Sequence, residues 1–514
     1  MNEIKSKAVD SDENFDWHDQ VSEPLRSQSH YTPASKYWRE LSVDVLREKL
    51  HTTQKKGVAR NLILFLGDGM SIATLTAARI YLGQLKKEAG ENTFLSFEKF
   101  PYTGLAKTYC ADSQVADSAC SATAYLTGVK GNIYTVGVTS SVGLRDWRNM
   151  KNESYHTTSI LKWAQDAGKG TGIISTSRIT DASPAATYAH SAYRLWQTDL
   201  DIKNDPDYRA TNATGVKDIA SQLMENSPGT GFKVILGGGR DAFLPNTEKH
   251  DPSMTGSRGD GKNLIQTWKK SKENMKKSAS YISNRDQLLG LDVNKTDYVL
   301  GLFQPGNMDY HKLSNKAQQP TLAEMTELAI KMLQKEAKGF VLFVEGGRID
   351  VAHHENKAHL ALDETVELHK AVERAVSMTD EEETLIVVTA DHAHTMNING
   401  YPQRGGDILT YIQGTEDQLS YSTLSYANGP NTPRFNEEGN GQHDIFTDKR
   451  DDPHYTFQTI NLLKAETHDG QDVTVFARGP WAHLLVGNYE QTVIPYAMSY
   501  AAGFGPAVDV LDQE

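Results

Sequence analysis

Cysteine is nearly absent from this chain: Cys110 and Cys120 are the two that occur in 514 residues. Two cysteines cannot build a disulfide framework, so the fold has to rest on a buried core, and the sequence does not show whether they pair. Long apolar runs are missing too, since no stretch reaches the roughly 18 consecutive apolar residues that a membrane-spanning helix needs. Positive charge is not in excess: 53 Lys and Arg stand against 66 Asp and Glu, a net of −13 that gives nucleic acid no general attraction. The opening MNEIKSKAVDSDENFDWHDQ lacks the apolar centre of a secretory leader, and the closing VDVLDQE lacks the hydrophobic tail that precedes a lipid anchor. Such a chain is either intracellular or numbered after processing. Asn-x-Ser/Thr triplets at Asn152, Asn212 and Asn294 suit a secretory route.

What is present is the profile of a globular α/β protein, with 38% hydrophobic and 23% charged residues and 40 glycines. Continuous apolar, β-branched runs at 61–66, 171–175, 233–236, 339–344 and 385–389 recur between helical stretches. Runs of that kind, as opposed to alternating ones, belong to parallel strands covered on both faces. LAEMTELAIKMLQKEA and ALDETVELHKAVERAVSM carry apolar residues at helical spacing. The fold class is α/β: a doubly wound, mostly parallel sheet flanked by helices. Residues 1–55 read as a polar N-terminal arm with one helix, 56–401 with 467–514 as the catalytic domain, and 402–466, rich in Gly, Asn, Asp and Pro, as a small insertion.

Three strands run into acids: LILFL into Asp68, FVLFV into Glu345, and LIVVT into Asp391. One such Asp ordinarily caps the next helix, but open α/β sheets bind ligands at the carboxyl ends of their strands. A cluster of carboxylates there repels itself unless cations neutralise it, which points to a metal site. Histidines add a preference. Asp350 and His354 are four apart, on one face of a helix, and His392 and His394 follow Asp391. Mixed imidazole and carboxylate donors suit zinc, and an oxygen-rich neighbour such as Glu345 suits Mg²⁺. Ser118, followed by small residues and a helical pattern, falls at a helix start where backbone N–H groups favour a phosphate or an alkoxide, although Asp-Ser is also a common capping pair. No Gly-x-Ser-x-Gly elbow supports an ordinary esterase triad.

From about Tyr37 to Ala502 these motifs resemble the alkaline phosphatases, in the animal, and within it the invertebrate, pattern more than the bacterial one. The landmarks are LGDGM, QVADSACSATAYLTGVKGN, TDASPAATYAHSAYR, DGKNL, GLFQPGNMDY, FVEGGRID, TADHAHT, NGPN and THDGQDV. The resemblance implies a phosphate-monoester phosphohydrolase of broad specificity and alkaline optimum that acts through a phosphoserine on Ser118. It implies Asp350, His354 and His468 on a first zinc, Asp68, Asp391 and His392 on a second, and Asp68, Ser183 and Glu345 on Mg²⁺. Arg194 is implied to grip two phosphate oxygens, with Asp181 beside the Mg²⁺ position and His394 behind the ligands, supporting Asp391. It also implies a homodimer, with Tyr401, the N-terminal arm and a crown-like 402–466 segment at the interface, and a secreted or outward-facing protein with its leader removed; the soluble cytoplasmic alternative rests on the missing leader and anchor.

The sequence departs from the family pattern in places. Asp181 stands where animal members usually carry His, and Val351 where the family commonly holds His or Lys near the phosphate, which implies a looser hold on phosphate. Gln304 and Gln319 occupy positions that are acidic around the vertebrate members' Ca²⁺ site, so no fourth, Ca²⁺ site is expected. A sulfatase would need a Cys/Ser-x-Pro-x-Arg signature that 118–122 lacks, and a phosphodiesterase relative usually has Thr as nucleophile and no THDGQDV segment. The rival from another class is a catalytically silent metal-binding protein of the same fold.

Overall fold

The computed structural model describes residues 35–210, 215–247, 249–251, 254–414, 419–430 and 443–511. The first 34 residues of the arm and the triplet at Asn212 lie outside them. The five apolar runs become five strands of one ten-stranded sheet. In chain order the strands are β1 (Asn61–Gly67), β2 (Tyr102–Lys107), β3 (Gly170–Arg178), β4 (Val234–Gly238), β5 (Ala279–Ile282), β6 (Tyr298–Leu302), β7 (Phe340–Gly346) and β8 (Thr384–Ala390). Then come β9 (Ala393–His394) and β10 (His468–Asp469), which pair with each other outside the sheet, and finally β11 (Val473–Arg478) and β12 (Gly487–Glu490). Across the sheet the order is β12-β2-β11-β8-β1-β7-β3-β4-β6-β5. Every neighbouring pair is parallel except the two that β11 makes.

The helices that matter for the site are α1 (Ser35–His51), α2 (Ile72–Leu85), α3 (Ser118–Thr127), α4 (Leu322–Leu333), α5 (Arg348–His354) and α6 (Ala358–Met378). α4 starts on a reciprocal cap in which Thr321 and Glu324 satisfy each other's backbone donors, and it packs on α6 over the sheet. β7 and β8 are buried along their whole length and β1 along nearly all of it, as strands covered on both faces are. Register then fixes the site: Gly67 lies opposite both Ala390 and Gly346, and Leu66 opposite Glu345. Asp68 and Asp391 therefore leave adjacent strands at the same level, with Glu345 one strand over.

Five of the ten strands carry no continuous apolar run. β2, β5 and β12 lie toward the flanks of the sheet with partly exposed residues, the run of β11 is broken by half-buried Thr474, and that of β6 by Gly301. α1 has no buried residue. Between 397 and 462 the chain makes two small sheets of its own, one from Asn397–Ile398, Leu424–Gly429 and Thr459–Leu462, the other a ladder of Tyr411–Gln413 with Ser420–Ser422. Among the described residues no helix is long and apolar enough to cross a membrane.

Candidate metal centre and active site

α5 carries Asp350 and His354 one turn apart, and the β9–β10 ladder sets His394 directly across from His468. Asp350 Oδ1 is consequently ringed by imidazole nitrogens: His394 Nε2 at 2.7 Å, His468 Nε2 at 3.2 Å and His354 Nε2 at 3.4 Å. The opposite nitrogens fix the tautomers. His354 Nδ1 donates to the carbonyl of Glu466 at 2.5 Å and His468 Nδ1 to the carbonyl of Ala116 at 2.7 Å. A carbonyl only accepts, so both rings carry their proton on Nδ1. Burial lowers the pKa of His354, which keeps it neutral. The two Nε2 atoms then face each other at 3.1 Å beside a carboxylate oxygen. Three such donor atoms converging on one point are what a divalent cation would satisfy, and imidazole held by a carbonyl on its far nitrogen is the usual form of a zinc ligand.

A second group lies at the ends of β1 and β8. Asp68, Asp391 and His392 bring one donor atom each within 4.8 Å of one another. Asp391 Oδ1 accepts from the N–H groups of Gly69 and His392, both at 2.9 Å, which leaves Oδ2 buried and 3.0 Å from His392 Nε2. Gly69 has no substitute here, because its φ is +67° and a Cβ would fall 2.3 Å from the His394 ring. Ser118 Oγ donates to Asp68 Oδ1 at 3.3 Å and lies 3.1 Å from His392 Nε2. Glu345 stands outside these groups, with its carboxylate accepting from Ser175 Oγ, while Ser183 Oγ nearby is buried without a well-formed hydrogen bond.

The electrostatics ask for positive charge. Burial, then Asp391, Asp350 and Glu345, push the Asp68 carboxyl well above the usual range. Burial takes Glu345 up to about 8. Burial would raise Asp391 as well, but the His392 imidazole pulls it down to about 2. Four carboxylates that cannot all ionise comfortably, a buried hydroxyl without a good partner and two imidazoles with facing Nε2 atoms make a donor set that fits divalent cations.

Ser118 opens α3, and the residue before it caps the helix: Asp117 accepts from the N–H groups of Ala119 and Cys120, both at 3.2 Å. Those amides are therefore committed to Asp117, and the free N–H groups anticipated for a phosphate at this helix start are not the main cationic element. Arg194 is. Its guanidinium pairs with Asp117 Oδ2 at 3.0 Å and Asp181 Oδ1 at 3.1 Å, which uses two of its five donors and orients the rest. Asp181 also caps the short helix that holds Ser183.

One sequence-derived partnership is corrected. His394 does not support Asp391; it lies between Asp350 and Glu466, whose Oε2 it meets through Nδ1. β9 turns the ring away from the end of β8 and against α5. Burial alone would lower the pKa of His394, but Glu466 and Asp350 raise it to about 10, so it sits as an imidazolium between two carboxylates. Glu466 and Ser175 are not singled out in the sequence, and Asp117 is read there only as half of a capping pair, the role it takes here. The signal for Glu466 was its place two residues before His468, in ETHDG. Val351 is half-buried against Tyr310, Ala352, Leu360 and Ala361. Where a Ca²⁺ ligand set would need acids, Gln304 donates to Asp309 at 2.8 Å and Gln319 brackets the Asp309 backbone, an amide network that satisfies itself. Cys110 and Cys120, left open by the sequence, form a disulfide that closes the loop leading into Ser118.

Comparison with known proteins adds an independent line. The profile of the family described as alkaline phosphatase matches residues 59–504. The membrane-bound alkaline phosphatase of Bombyx mori is 46% identical over 462 residues, 90% of this chain and 83% of its own. The tissue-nonspecific alkaline phosphatase isozyme of Gallus gallus is 46% identical over 482 residues, 91% of this chain and 90% of its own. Among solved structures, the alkaline phosphatase of Thermus thermophilus aligns with a TM-score of 0.61 over 90% of this chain and 97% of its own at 20% identity, a likeness of fold.

Proposed function

The chain belongs to the alkaline phosphatase family, an enzyme family that hydrolyses phosphate monoesters, and from that premise we propose a metal-dependent reaction through a phosphoserine on Ser118. Asp350, His354 and His468 would hold one zinc, Asp68, Asp391 and His392 a second, and Asp68, Ser183 and Glu345 a Mg²⁺. The observation that carries this reading is the pair of His354 and His468 rings whose Nε2 atoms face each other beside Asp350. Bound there, the cations would lower the pKa of the Ser118 hydroxyl and of water and offset charge on the entering and leaving oxygens.

The chain's own residues do the rest. Arg194, braced by Asp117 and Asp181, orients the phosphoryl oxygens so that Ser118 Oγ approaches phosphorus in line with the ester oxygen. The Oγ–P bond forms as the P–O bond to the alcohol breaks, and the alcohol leaves with a proton; water then displaces phosphate and restores the serine hydroxyl. A loose transition state needs charge stabilisation at phosphorus more than contact with the alcohol, which accounts for broad specificity. The test is Ser118→Ala, which keeps the metal content of the parent and loses nearly all turnover. In acid-quenched parent enzyme the peptide containing Ser118 carries phosphate. Substantial turnover in the variant, or label elsewhere, would overturn the assignment.

The molecule is further read as a homodimer whose N-terminal arm, Tyr401 and 402–466 insertion meet the second copy. Support comes from α1, whose Trp38, Leu41, Leu46 and Leu50 are exposed, and from exposed Tyr401, Ile460 and Leu462. Sedimentation at about twice the 57.0 kDa chain mass is the expected result, and a monomer at micromolar concentration contradicts it.

A further inference from the structure

At the end of the sheet away from the metal centre, a cavity of about 570 Å³ lies between the last turn of α1, the end of α2, α6 and β11. β11 runs antiparallel to β8, so Arg478 in the lining sits opposite Ile386, near the start of the strand that leads into Asp391. One buried polar group opens into this space. His369 on α6 is 6% exposed, and its Nδ1 accepts the Ser96 N–H at 2.7 Å. Burial lowers the pKa of the ring to about 4 and keeps it neutral, and a neutral imidazole that accepts at Nδ1 carries its proton on Nε2. Among the described residues that Nε2–H has no acceptor, so a donor on a buried side chain is left for whatever fills the cavity.

Positive charge accompanies that donor. Lys86 and Lys99 line the same cavity and lie close enough to His369 to act on it through their charge. Among the described residues neither pairs with a carboxylate, whereas Lys55 and Arg478 across the cavity are held by Glu382 and Glu381. Phe94, with Lys99 Nζ 5.8 Å from its ring centre, and Phe100 supply apolar wall. Glu48 and Glu373 also line the space without an ion pair, and they limit the negative charge it can take. We propose that this cavity binds a small organic monoanion, an aryl or short alkyl carboxylate, with the carboxylate at His369 Nε2, Lys86 and Lys99 and the apolar part on Phe94 and Phe100. The volume is that of a small-molecule site, and a buried N–H with two ammonium groups gives a carboxylate charge-assisted hydrogen bonds. A dianion such as inorganic phosphate fits less well, because Glu48 and Glu373 repel the second charge. The site is independent of the chemistry at Ser118.

The test is calorimetric titration of the full, metal-loaded chain with 1-naphthoate, beside the uncharged 1-naphthalenemethanol. One naphthoate per chain is expected, bound about 10-fold more tightly than the alcohol. Changing Lys86→Gln and Lys99→Gln together, both on exposed side chains, is expected to weaken naphthoate about 3- to 10-fold, and Glu373→Gln to tighten it about 2-fold. His369→Leu is expected to weaken it about 10-fold, while His369→Gln, whose amide can take both hydrogen bonds of the imidazole, holds most of the affinity. No saturable binding, or equal affinity for the alcohol, would overturn the proposal. So would naphthoate that the lysine changes leave in place and inorganic phosphate displaces, which would put the probe at Ser118.

Discussion

The Asp350, His394 and Glu466 triplet shows how one imidazole sets the character of a ligand. Asp350 is pulled well below the usual carboxylate range against the effect of burial, by His354, His394 and His468. His394 can remain an imidazolium because Glu466 lies on its other side, itself fixed by Thr395 N–H at 2.7 Å and Thr395 Oγ1 at 2.6 Å. Glu466→Gln removes the charge that keeps His394 protonated while preserving an acceptor. Affinity for the cation at Asp350, His354 and His468 is expected to fall about 10- to 100-fold, read by chelator competition. Unaltered affinity would show that Glu466 is only a packing group. Asp68, Glu345, Asp350, His354, Asp391 and His392 are legible as candidates because acids after apolar runs and closely spaced histidines announce themselves, whereas His468 and Ser183 enter only through the family resemblance. Glu466 is not, and neither is the contact of Asp117 with Arg194, since a carboxylate that orients another residue has no signature apart from its neighbours in space.

At the scale of elements, the centre exists because β8, β1 and β7 are adjacent and parallel, so that three sequence-distant acids share one edge. That adjacency could be guessed from the runs of β1, β7 and β8, but β2, β5, β6, β11 and β12 could not, because strands with an exposed face or an internal glycine lose the continuous pattern. α6 adds a pH-dependent tie. His369 accepts the Ser96 N–H at 2.7 Å through Nδ1, and burial lowers its pKa to about 4. The folded chain holds this ring neutral while the unfolded chain protonates it below about 6.5, so the unfolded state binds more protons between those values and stability falls on acidification through that window. In His369→Gln the dependence of the urea midpoint on pH between 6.5 and 4 is expected to be shallower than in the parent, measured under matched metal conditions. Parallel curves would show that this ring does not titrate on unfolding.

For the whole molecule, the net charge of −13 makes the bulk field unhelpful to an anionic substrate, so attraction has to be generated locally. Arg194 supplies positive charge at the site, and the proposed cations would add to it. Fold, family and reaction class are readable from the motifs; the disulfide beside the nucleophile needs the structure, because two cysteines in a chain of this length carry no signal of whether they pair. The central claim is that this edge of the sheet is a metal centre that drives phosphate-ester hydrolysis. Elemental analysis of freshly purified protein, paired with hydrolysis of a chromogenic phosphate monoester at neutral and alkaline pH before and after chelation, tests it most directly. The account predicts about two zinc and one magnesium per chain, with alkaline-favoured turnover that chelation abolishes and the metals restore. Chelator-resistant turnover, or a chain that binds no metal, would contradict it.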